Sequence, residues 1–202
     1  MAIQNLASFS APIPIEVDKT LFPNKIWLWK ITWHGPEGYA TIYENDRLSL
    51  VKTSDGLHYD LVTRLRCDSM PNETALLFGP NDELYLLVRR EIGGATGVWG
   101  ESRPPYTEWE WNDLGIRLGG PNLCALPDGS ILIGSREVQK EPHCGLYGLD
   151  GSKRAELLLR LPSGGDCSYP GFVVRGNTLW ISYYSSHEGH AAIYLATVRL
   201  DR

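Results

Sequence analysis

Residues Glu83–Glu91 read ELYLLVRRE and residues Gly129–Glu137 read GSILIGSRE, so that an apolar run ends in Arg-Glu twice, 46 residues apart. A related run, Gly38–Glu44, lies one period earlier, and another, Leu179–Tyr184, lies about one period later. Short apolar runs bounded by Gly, Pro, Asn and Asp are typical of β-strands. A repeat of about 40 to 50 residues with about four strands per unit is typical of a β-propeller. The sequence therefore predicts an all-β fold, a β-propeller of four-stranded antiparallel blades, with about four blades in this chain.

The repeat divides the chain into blades. We expect residues 1–202 to form one propeller domain, with blades at about 26–68, 72–115, 119–162 and 166–202. The last blade would contain three strands, Tyr169–Val174, Thr178–Tyr184 and Ala191–Leu200. An unpaired edge strand invites aggregation. We therefore expect Phe9–Val17 to close the propeller by pairing with Ala191–Leu200, or a second copy of the chain to cover that edge.

Composition and charge narrow the range of partners. The chain has 202 residues, of which 43% are hydrophobic, and a formal net charge of −5. Nucleic acids are bound by clustered Lys and Arg, which the sequence lacks, so we expect no nucleic-acid partner. No segment approaches 18 consecutive apolar residues, so we expect no membrane span. Residues 1–17 lack the basic and then apolar pattern of a signal peptide, and the sequence leaves both a cytoplasmic and a secreted location open.

The four cysteines do not form a recognisable metal-binding pattern. Cys67, Cys124, Cys144 and Cys167 show no CxxC spacing and no paired histidine ligands, so we expect no metal site and no cofactor. A disulfide between Cys124 and Cys144 is one interpretation, because the two residues could lie on nearby strands. Small buried thiols are the interpretation that we favour.

Polar residues with reactive side chains collect at two positions of the predicted blades. The first two strands of a blade form a hairpin, so the start of the first and the end of the second lie on one face of the propeller, near its axis. Side chains at these positions would line a single funnel. The candidate residues are Glu73, Arg89, Arg90, Arg136, Asp166, Tyr169, Tyr184 and His187.

The residue types in this funnel indicate a particular chemistry. Two guanidinium groups hold a carboxylate bidentately, with better orientation than Lys provides. A Tyr next to a Glu can lose its proton as it attacks and so become a nucleophile. A neutral phenol suits an anionic substrate, since a carboxylate nucleophile would be repelled by the substrate's own charge.

Four segments resemble a known family, the sialidase (neuraminidase) superfamily. Lys52–Tyr59 looks like a degenerate Asp-box, the turn between the third and fourth strands of a blade. Asn72–Arg90 resembles the segment that carries a catalytic Glu and one arginine, and Gly120–Arg136 resembles the segment that carries a later arginine. Gly165–Pro170 resembles the segment that carries the nucleophilic Tyr. More narrowly, the chain is similar to bacterial sialidase-like proteins with BNR repeats.

The resemblance implies a function and a site. The protein would be a glycoside hydrolase, or the C-terminal part of one, that acts on a carboxylated sugar such as sialic acid. Glu73 would be the base for the nucleophile Tyr169, and Arg90 and Arg136 would hold the sugar carboxylate. Sialidases usually have six blades and take a first arginine and an aspartate acid/base from N-terminal segments, which have no counterpart before residue 26. We therefore expect the isolated chain to show little or no turnover.

Each candidate residue also has a structural interpretation. Arg90 beside Glu91 could form an ion pair, Glu73 could cap a turn, and Tyr169 could belong to the core. The alternation of Trp27, Trp29 and Trp33 indicates packing between blades, with stacking on sugars as the alternative. The alternative function is a non-catalytic propeller that binds glycans or a protein partner on the same face.

Overall fold

The computed structural model describes residues 11–200. Within this range the chain forms sixteen β-strands and one short 3-10 helix, Ile92–Gly94, and no α-helix. No helix in that range has the length and apolar character needed to cross a membrane. The strands are β1 (Glu16–Val17), β2 (Trp27–His34), β3 (Glu37–Glu44), β4 (Arg47–Thr53), β5 (His58–Leu65), β6 (Pro71–Phe78), β7 (Leu84–Arg90), β8 (Val98–Ser102), β9 (Glu110–Asp113), β10 (Asn122–Ala125), β11 (Ile131–Arg136), β12 (Cys144–Leu149), β13 (Ala155–Arg160), β14 (Cys167–Arg175), β15 (Thr178–Ser185) and β16 (Ala192–Arg199).

The strands form four sheets that follow one another along the chain. The first has the order β1-β5-β4-β3-β2, the second β6-β7-β8-β9, the third β10-β11-β12-β13 and the fourth β14-β15-β16. Every strand pairs antiparallel with its neighbour in sequence, except β1, which pairs in parallel with β5. The four sheets are the blades of a β-propeller, which confirms the predicted fold class.

The repeated stretches of the sequence are the second strands of the second and third sheets. Leu84–Arg90 is β7 and Ile131–Arg136 is β11. Each follows a turn that requires a left-handed backbone, at Asp82 with φ of 61° and at Gly129 with φ of 85°. Asp and Gly tolerate this conformation better than most residues do. The turn residues and the apolar run together produce the repeat that the sequence displays.

The apolar side chains fill the spaces between consecutive sheets. Side chains alternate between the two faces of a strand, and in β7 both faces are covered. Leu86 and Val88 pack with Leu50 in a cluster between the first and second sheets. Leu87 packs with Ile133 in a cluster between the second and third sheets. A further cluster joins the third sheet to the fourth, so that the two middle sheets are enclosed on both sides.

The outer face of the fourth sheet is exposed: within residues 11–200, no core cluster covers it. Val173 is 62% exposed, Trp180 42%, Ile193 78% and Leu195 66%. These side chains project from the face opposite the one that packs on the third sheet. The fourth and first sheets approach each other through the rings of Trp29 and Tyr169, whose centroids are 6.3 Å apart.

The N-terminal segment covers the first sheet instead of the fourth, which differs from the expected closure. Glu16 and Val17 pair with His58 and Tyr59 of β5. Phe22 is buried against the same sheet in a cluster that Val17 also contacts. Burial of these two apolar side chains favours the first sheet, and Phe9–Val17, as far as it is described, does not pair with Ala191–Leu200. Phe9 and Ser10 lie outside the described residues.

The turn at Ser54–Leu57 has the position expected from the resemblance. It joins β4 to β5, the third and fourth strands of the first blade. Asp55 accepts hydrogen bonds from the backbone N–H groups of Leu57 and His58 at 2.8 and 2.9 Å. These bonds, with one from the His58 ring, hold the pKa of Asp55 well below its ordinary value. The aspartate therefore organises the turn, while its assignment to the Asp-box motif is not confirmed.

All four cysteines are free thiols. Cys144 and Cys167 are fully buried in the cluster between the third and fourth sheets, and Cys124 is partly buried beside it. Burial raises the pKa of the Cys144 thiol far above its ordinary value. Cys144 therefore packs as a small apolar side chain, in agreement with the favoured interpretation of this residue.

Candidate functional site

The innermost strand of each sheet lies at the axis of the propeller. β2, β6, β10 and β14 each form an edge of their sheet, and β6 contacts both β2 and β10 while β10 contacts β14. Residues near the starts of these strands meet at one end of the axis. The candidate site consists of these residues and of the ends of the neighbouring strands β3, β7, β11 and β15.

The central contact of the site joins the second sheet to the fourth. Tyr169 Oη donates a hydrogen bond to Glu73 Oε1 at 2.5 Å. Tyr169 has a φ of 50° and lies in a bulge of β14, where the register shifts between Ser168 and Gly171. Buried Ser168 donates a hydrogen bond to the Gly119 carbonyl oxygen and so anchors this bulge to the third sheet. Backbone that is strained and held in place by several contacts occurs most often at functional sites.

Arg89 holds the other oxygen of the same carboxylate. Its Nη1 lies 2.9 Å from Glu73 Oε2, and its Nη2 lies 2.6 Å from an oxygen of Glu91. The side chains of Arg89 and Glu73 are 19% and 12% exposed, so this ion pair is only weakly screened by solvent. Glu73 thus contacts a phenol through one oxygen and a guanidinium group through the other.

The environment keeps the Tyr169 phenol protonated at neutral pH. Burial, the hydrogen bond to Glu73 and the Glu73 charge raise the pKa of Tyr169 to about 12, while Arg89 and Arg136 act in the opposite direction. Loss of the proton from Tyr169 is therefore less favourable than from a free phenol. Glu73 is the group placed to accept it.

Arg136 forms the third part of the site with Asp166 and Tyr184. Arg136 Nη1 and the Tyr184 hydroxyl both donate to Asp166 Oδ1, at 2.8 and 2.6 Å. The ring of Tyr184 stacks on that of Tyr169, with centroids 6.1 Å apart. A Cβ atom on Gly119 would lie 2.8 Å from the Arg136 Nε, so the arginine lies directly over this glycine. Its other guanidinium nitrogens make no hydrogen bond to residues 11–200 and can bind an anion.

Arg90 lies apart from the site. Its guanidinium group contacts Asp68 at 2.8 Å and Asp113 at 3.1 Å, and its Nε donates to the Thr96 carbonyl oxygen at 2.6 Å. Adjacent residues of a strand point to opposite faces, so Arg89 and Arg90 cannot both face the axis. The structure brings Arg89 to Glu73 and places Arg90 in a structural ion-pair network. The carboxylate-binding role that the resemblance gave to Arg90 therefore has no support in the geometry.

His187 also lies outside the contacts of the Glu73–Tyr169 pair. Its Nδ1 lies 2.8 Å from Ser185 Oγ, and its ring lies 4.8 Å from that of Tyr194. It follows β15 in a turn beside the predicted funnel. Its described contacts are those of a turn residue.

The first sheet contributes residues that the candidate set did not contain. Lys30 has a φ of 30° at a bulge of β2. Burial lowers the pKa of Lys30, and the nearby charge of Glu73 acts in the opposite direction. Trp29 and Tyr43 line the same end of the sheet, with their ring centroids 6.3 Å apart. In the sequence, the signal that could have identified these residues is the position of Trp29 and Lys30 near the start of the first strand of a predicted blade.

Two of the three tryptophans in β2 are not core residues, which differs from the expected packing between blades. Trp27 is 55% exposed and Trp33 is 50% exposed. Among residues 11–200, no core cluster joins the face on which Trp33 lies to another sheet. No group of three or more His, Cys, Asp or Glu side chains in the described part of the chain is arranged to hold a metal ion.

No family model matches the sequence, and no curated protein matches it significantly. Solved structures share the fold. A protein of unknown function from Dyadobacter fermentans aligns with a TM-score of 0.72 and 18% identity over 85% of this chain and 52% of its own. The Bacteroides ovatus protein named Xyloglucan PUL GH43B aligns with a TM-score of 0.61 and 15% identity, over 85% of this chain and 38% of its own. An endo-1,4-beta-xylanase from Bacteroides thetaiotaomicron aligns with a TM-score of 0.59 and 10% identity, over 86% of this chain and 71% of its own.

These likenesses establish the propeller fold and leave the sialidase resemblance unconfirmed. The chain spans about half the length of the Dyadobacter protein and a smaller share of the Bacteroides ovatus protein. Several of the structural neighbours carry the names of glycan-degrading enzymes. Those names describe the neighbours.

Proposed function

We propose that this chain is a glycoside-hydrolase-like propeller that acts on a carboxylated sugar such as sialic acid, with Tyr169 as nucleophile and Glu73 as its base. The observation that carries the proposal is the 2.5 Å hydrogen bond from the Tyr169 hydroxyl to Glu73 at the axis. The glycan-degrading enzymes among the structural neighbours support a carbohydrate substrate.

The proposed step uses the two groups in sequence. The Tyr169 oxygen forms a bond to the anomeric carbon, the bond from that carbon to the leaving group breaks with its electron pair, and the phenolic proton passes to Glu73. Because the pKa of Tyr169 is raised to about 12, the phenol is neutral when the substrate binds and does not repel a carboxylate. Arg89 lies 2.9 Å from the other oxygen of Glu73 and offsets the negative charge of this carboxylate.

The carboxylate of the sugar is assigned to Arg136. This arginine uses one nitrogen to contact Asp166, and its charge acts on the neighbouring Tyr169, which leaves its other guanidinium nitrogens for the substrate. Arg89 is already held by two carboxylates, and Arg90 faces away. Lys30 adds a positive charge from the first sheet. The proposed clamp therefore consists of Arg136, supported by Lys30.

Covalent trapping tests the proposal. The N-terminal segment that carries the aspartate acid/base in the resembled family has no counterpart before residue 26. The probe is therefore 2,3-difluoro-N-acetylneuraminic acid, from which fluoride departs without a proton. We expect a stable adduct on Tyr169, located by peptide mass spectrometry, and no adduct in Tyr169→Phe. Tyr194→Phe removes a phenol that contacts Glu188 instead, and it should label like the unaltered protein.

Two results would contradict the proposal in different ways. Labelling at another residue, or undiminished labelling of Tyr169→Phe, would remove Tyr169 as the nucleophile. Binding of N-acetylneuraminic acid without any labelling would favour the non-catalytic glycan-binding propeller.

A further inference from the structure

Five aromatic rings form a continuous row across the mouth of the site. Trp27 stacks on Tyr43 at 6.5 Å, Tyr43 meets Trp29 at 6.3 Å, Trp29 meets Tyr169 at 6.3 Å, and Tyr169 stacks on Tyr184 at 6.1 Å between centroids. The row begins on the first sheet and ends on the fourth. It passes through the proposed nucleophile.

The row differs from the aromatic packing inside the protein. In the core, Trp99 is fully buried and Tyr39 is 5% exposed. In the row, Trp27 is 55% exposed and Tyr169 is 43% exposed, while Tyr43, Trp29 and Tyr184 are partly buried. Exposed aromatic rings gain little for folding, because they remain in contact with water. A row of rings that reaches solvent at Trp27 and again at Tyr169 is suited to an apolar or amphipathic ligand.

The backbone places the row by simple strand geometry. Trp27 lies opposite Tyr43 in the register of β2 and β3, and Trp29 lies two residues further along the same face of β2. The bulge at Lys30 then reverses the alternation, so that Trp33 projects from the other face. Trp27 and Trp33 are thus similarly exposed residues of one strand, and only Trp27 belongs to the row.

We infer that the row is an extended binding surface for an oligosaccharide, on which the sugar units beyond the terminal carboxylated sugar stack. The inference rests on the proposed function and names its substrate class as a glycan chain. Pyranose rings present flat faces of C–H groups that pack on aromatic rings. With the terminal sugar at Tyr169 and Arg136, Tyr43 and Trp27 receive the following units. Contacts with such remote units contribute binding energy that the reacting sugar alone does not supply.

Calorimetric titration with three probes tests the inference. The probes are N-acetylneuraminic acid, a sulfur-linked sialyllactose that resists hydrolysis, and uncharged xylotetraose. We expect the trisaccharide to bind the unaltered protein about five- to tenfold more tightly than the monosaccharide, as one or two stacking contacts provide. Trp27→Ala should remove this gain and leave the affinity for the monosaccharide unchanged. Trp33→Ala, the matched control, should change neither.

The outcomes separate the inference from the function on which it rests. Equal affinity for the monosaccharide and the trisaccharide, unaffected by Trp27→Ala, would show that the aromatic row does not bind the additional sugar units. The proposed function would still stand. If xylotetraose binds, Trp27→Ala weakens this binding and neither sialoside binds, the aromatic row is a glycan-binding surface and the substrate is not a carboxylated sugar. Failure of all three probes to bind would overturn both.

Discussion

Arg89 and Arg90 are neighbours in the sequence and have different surroundings in the fold. Arg89 contacts Glu73 and Glu91 at the axis, whereas Arg90 contacts Asp68 and Asp113. Two substitutions therefore separate a site residue from a structural one.

Arg90→Ala should lower the free energy of unfolding, and Arg89→Ala should lower the rate of covalent labelling. Loss of the Arg90 network costs about 1–2 kcal/mol, because the arginine is buried while its aspartate partners are largely exposed to solvent. Urea denaturation measures the first effect, and labelling of Tyr169 measures the second. A labelling defect of equal size in both variants would show that Arg90 also serves the site.

The charge of Glu73 should be visible in the titration of Tyr169. Burial, the hydrogen bond to Glu73 and its charge raise the pKa of Tyr169, so the stability that this group contributes is complete below its ordinary pKa of about 10 and is lost as the pH rises toward 12. Glu73→Gln should lower the pKa of Tyr169 without restoring the ordinary value, since burial persists. Phenolate absorbance of each protein, minus that of the same protein carrying Tyr169→Phe, isolates this residue. An unchanged difference titration would place Glu73 too far away to interact.

The sequence predicts which residues meet at the axis better than it predicts their orientation. Glu73 and Tyr169 were identified because first-strand starts converge in any propeller. The choice between Arg89 and Arg90 depends on the phase of side-chain alternation. That phase is altered by bulges, such as the register shift in β6 just before Thr74. Bulges leave little trace in a single sequence, so only the three-dimensional structure shows that Arg89, and not Arg90, faces Glu73.

At the scale of single elements, the fourth sheet has two unlike faces. Leu179 in β15 packs toward the third sheet and is 1% exposed, whereas Leu195 in β16 lies on the other face and is 66% exposed. Strand positions were predictable because alternation and turn residues are local signals. The partner of the N-terminal strand was not, since β5 and β16 offer similar edges and the burial of Phe22 decides between them.

Truncation of these two leucines should have very different costs. Leu179→Ala should lower the free energy of unfolding by about 2–5 kcal/mol, as a large-to-small change in a packed core does. Leu195→Ala should change it by less than about 0.5 kcal/mol, as exposed positions do. Urea denaturation at two protein concentrations provides the comparison. A large, concentration-dependent loss in Leu195→Ala would show that a second copy of the chain covers this face in solution.

Across the whole molecule, packing is greatest in the two middle sheets and least in the fourth. The second and third sheets are enclosed on both faces, while no core cluster within residues 11–200 covers the outer face of the fourth. Backbone amides of β7 and β11 should therefore exchange with deuterium most slowly, and those of the edge strand β16 fastest among the strands of the third and fourth sheets. Hydrogen–deuterium exchange followed by mass spectrometry measures this difference in amide protection. Uniform protection through β16 would mean that its edge and outer face are covered.

The meander arrangement of the sheets also sets the order in which the protein assembles during synthesis. Apart from β1, which pairs with β5, each strand pairs with strands adjacent in the chain, so these contacts have low sequence separation and form early. The Tyr169–Glu73 hydrogen bond joins residues 96 positions apart. A ribosome-bound chain that has exposed only the first three sheets therefore contains Glu73 and lacks its partner Tyr169. The proposed site consequently forms only after β14 has emerged and docked, long after Glu73 itself has left the ribosome.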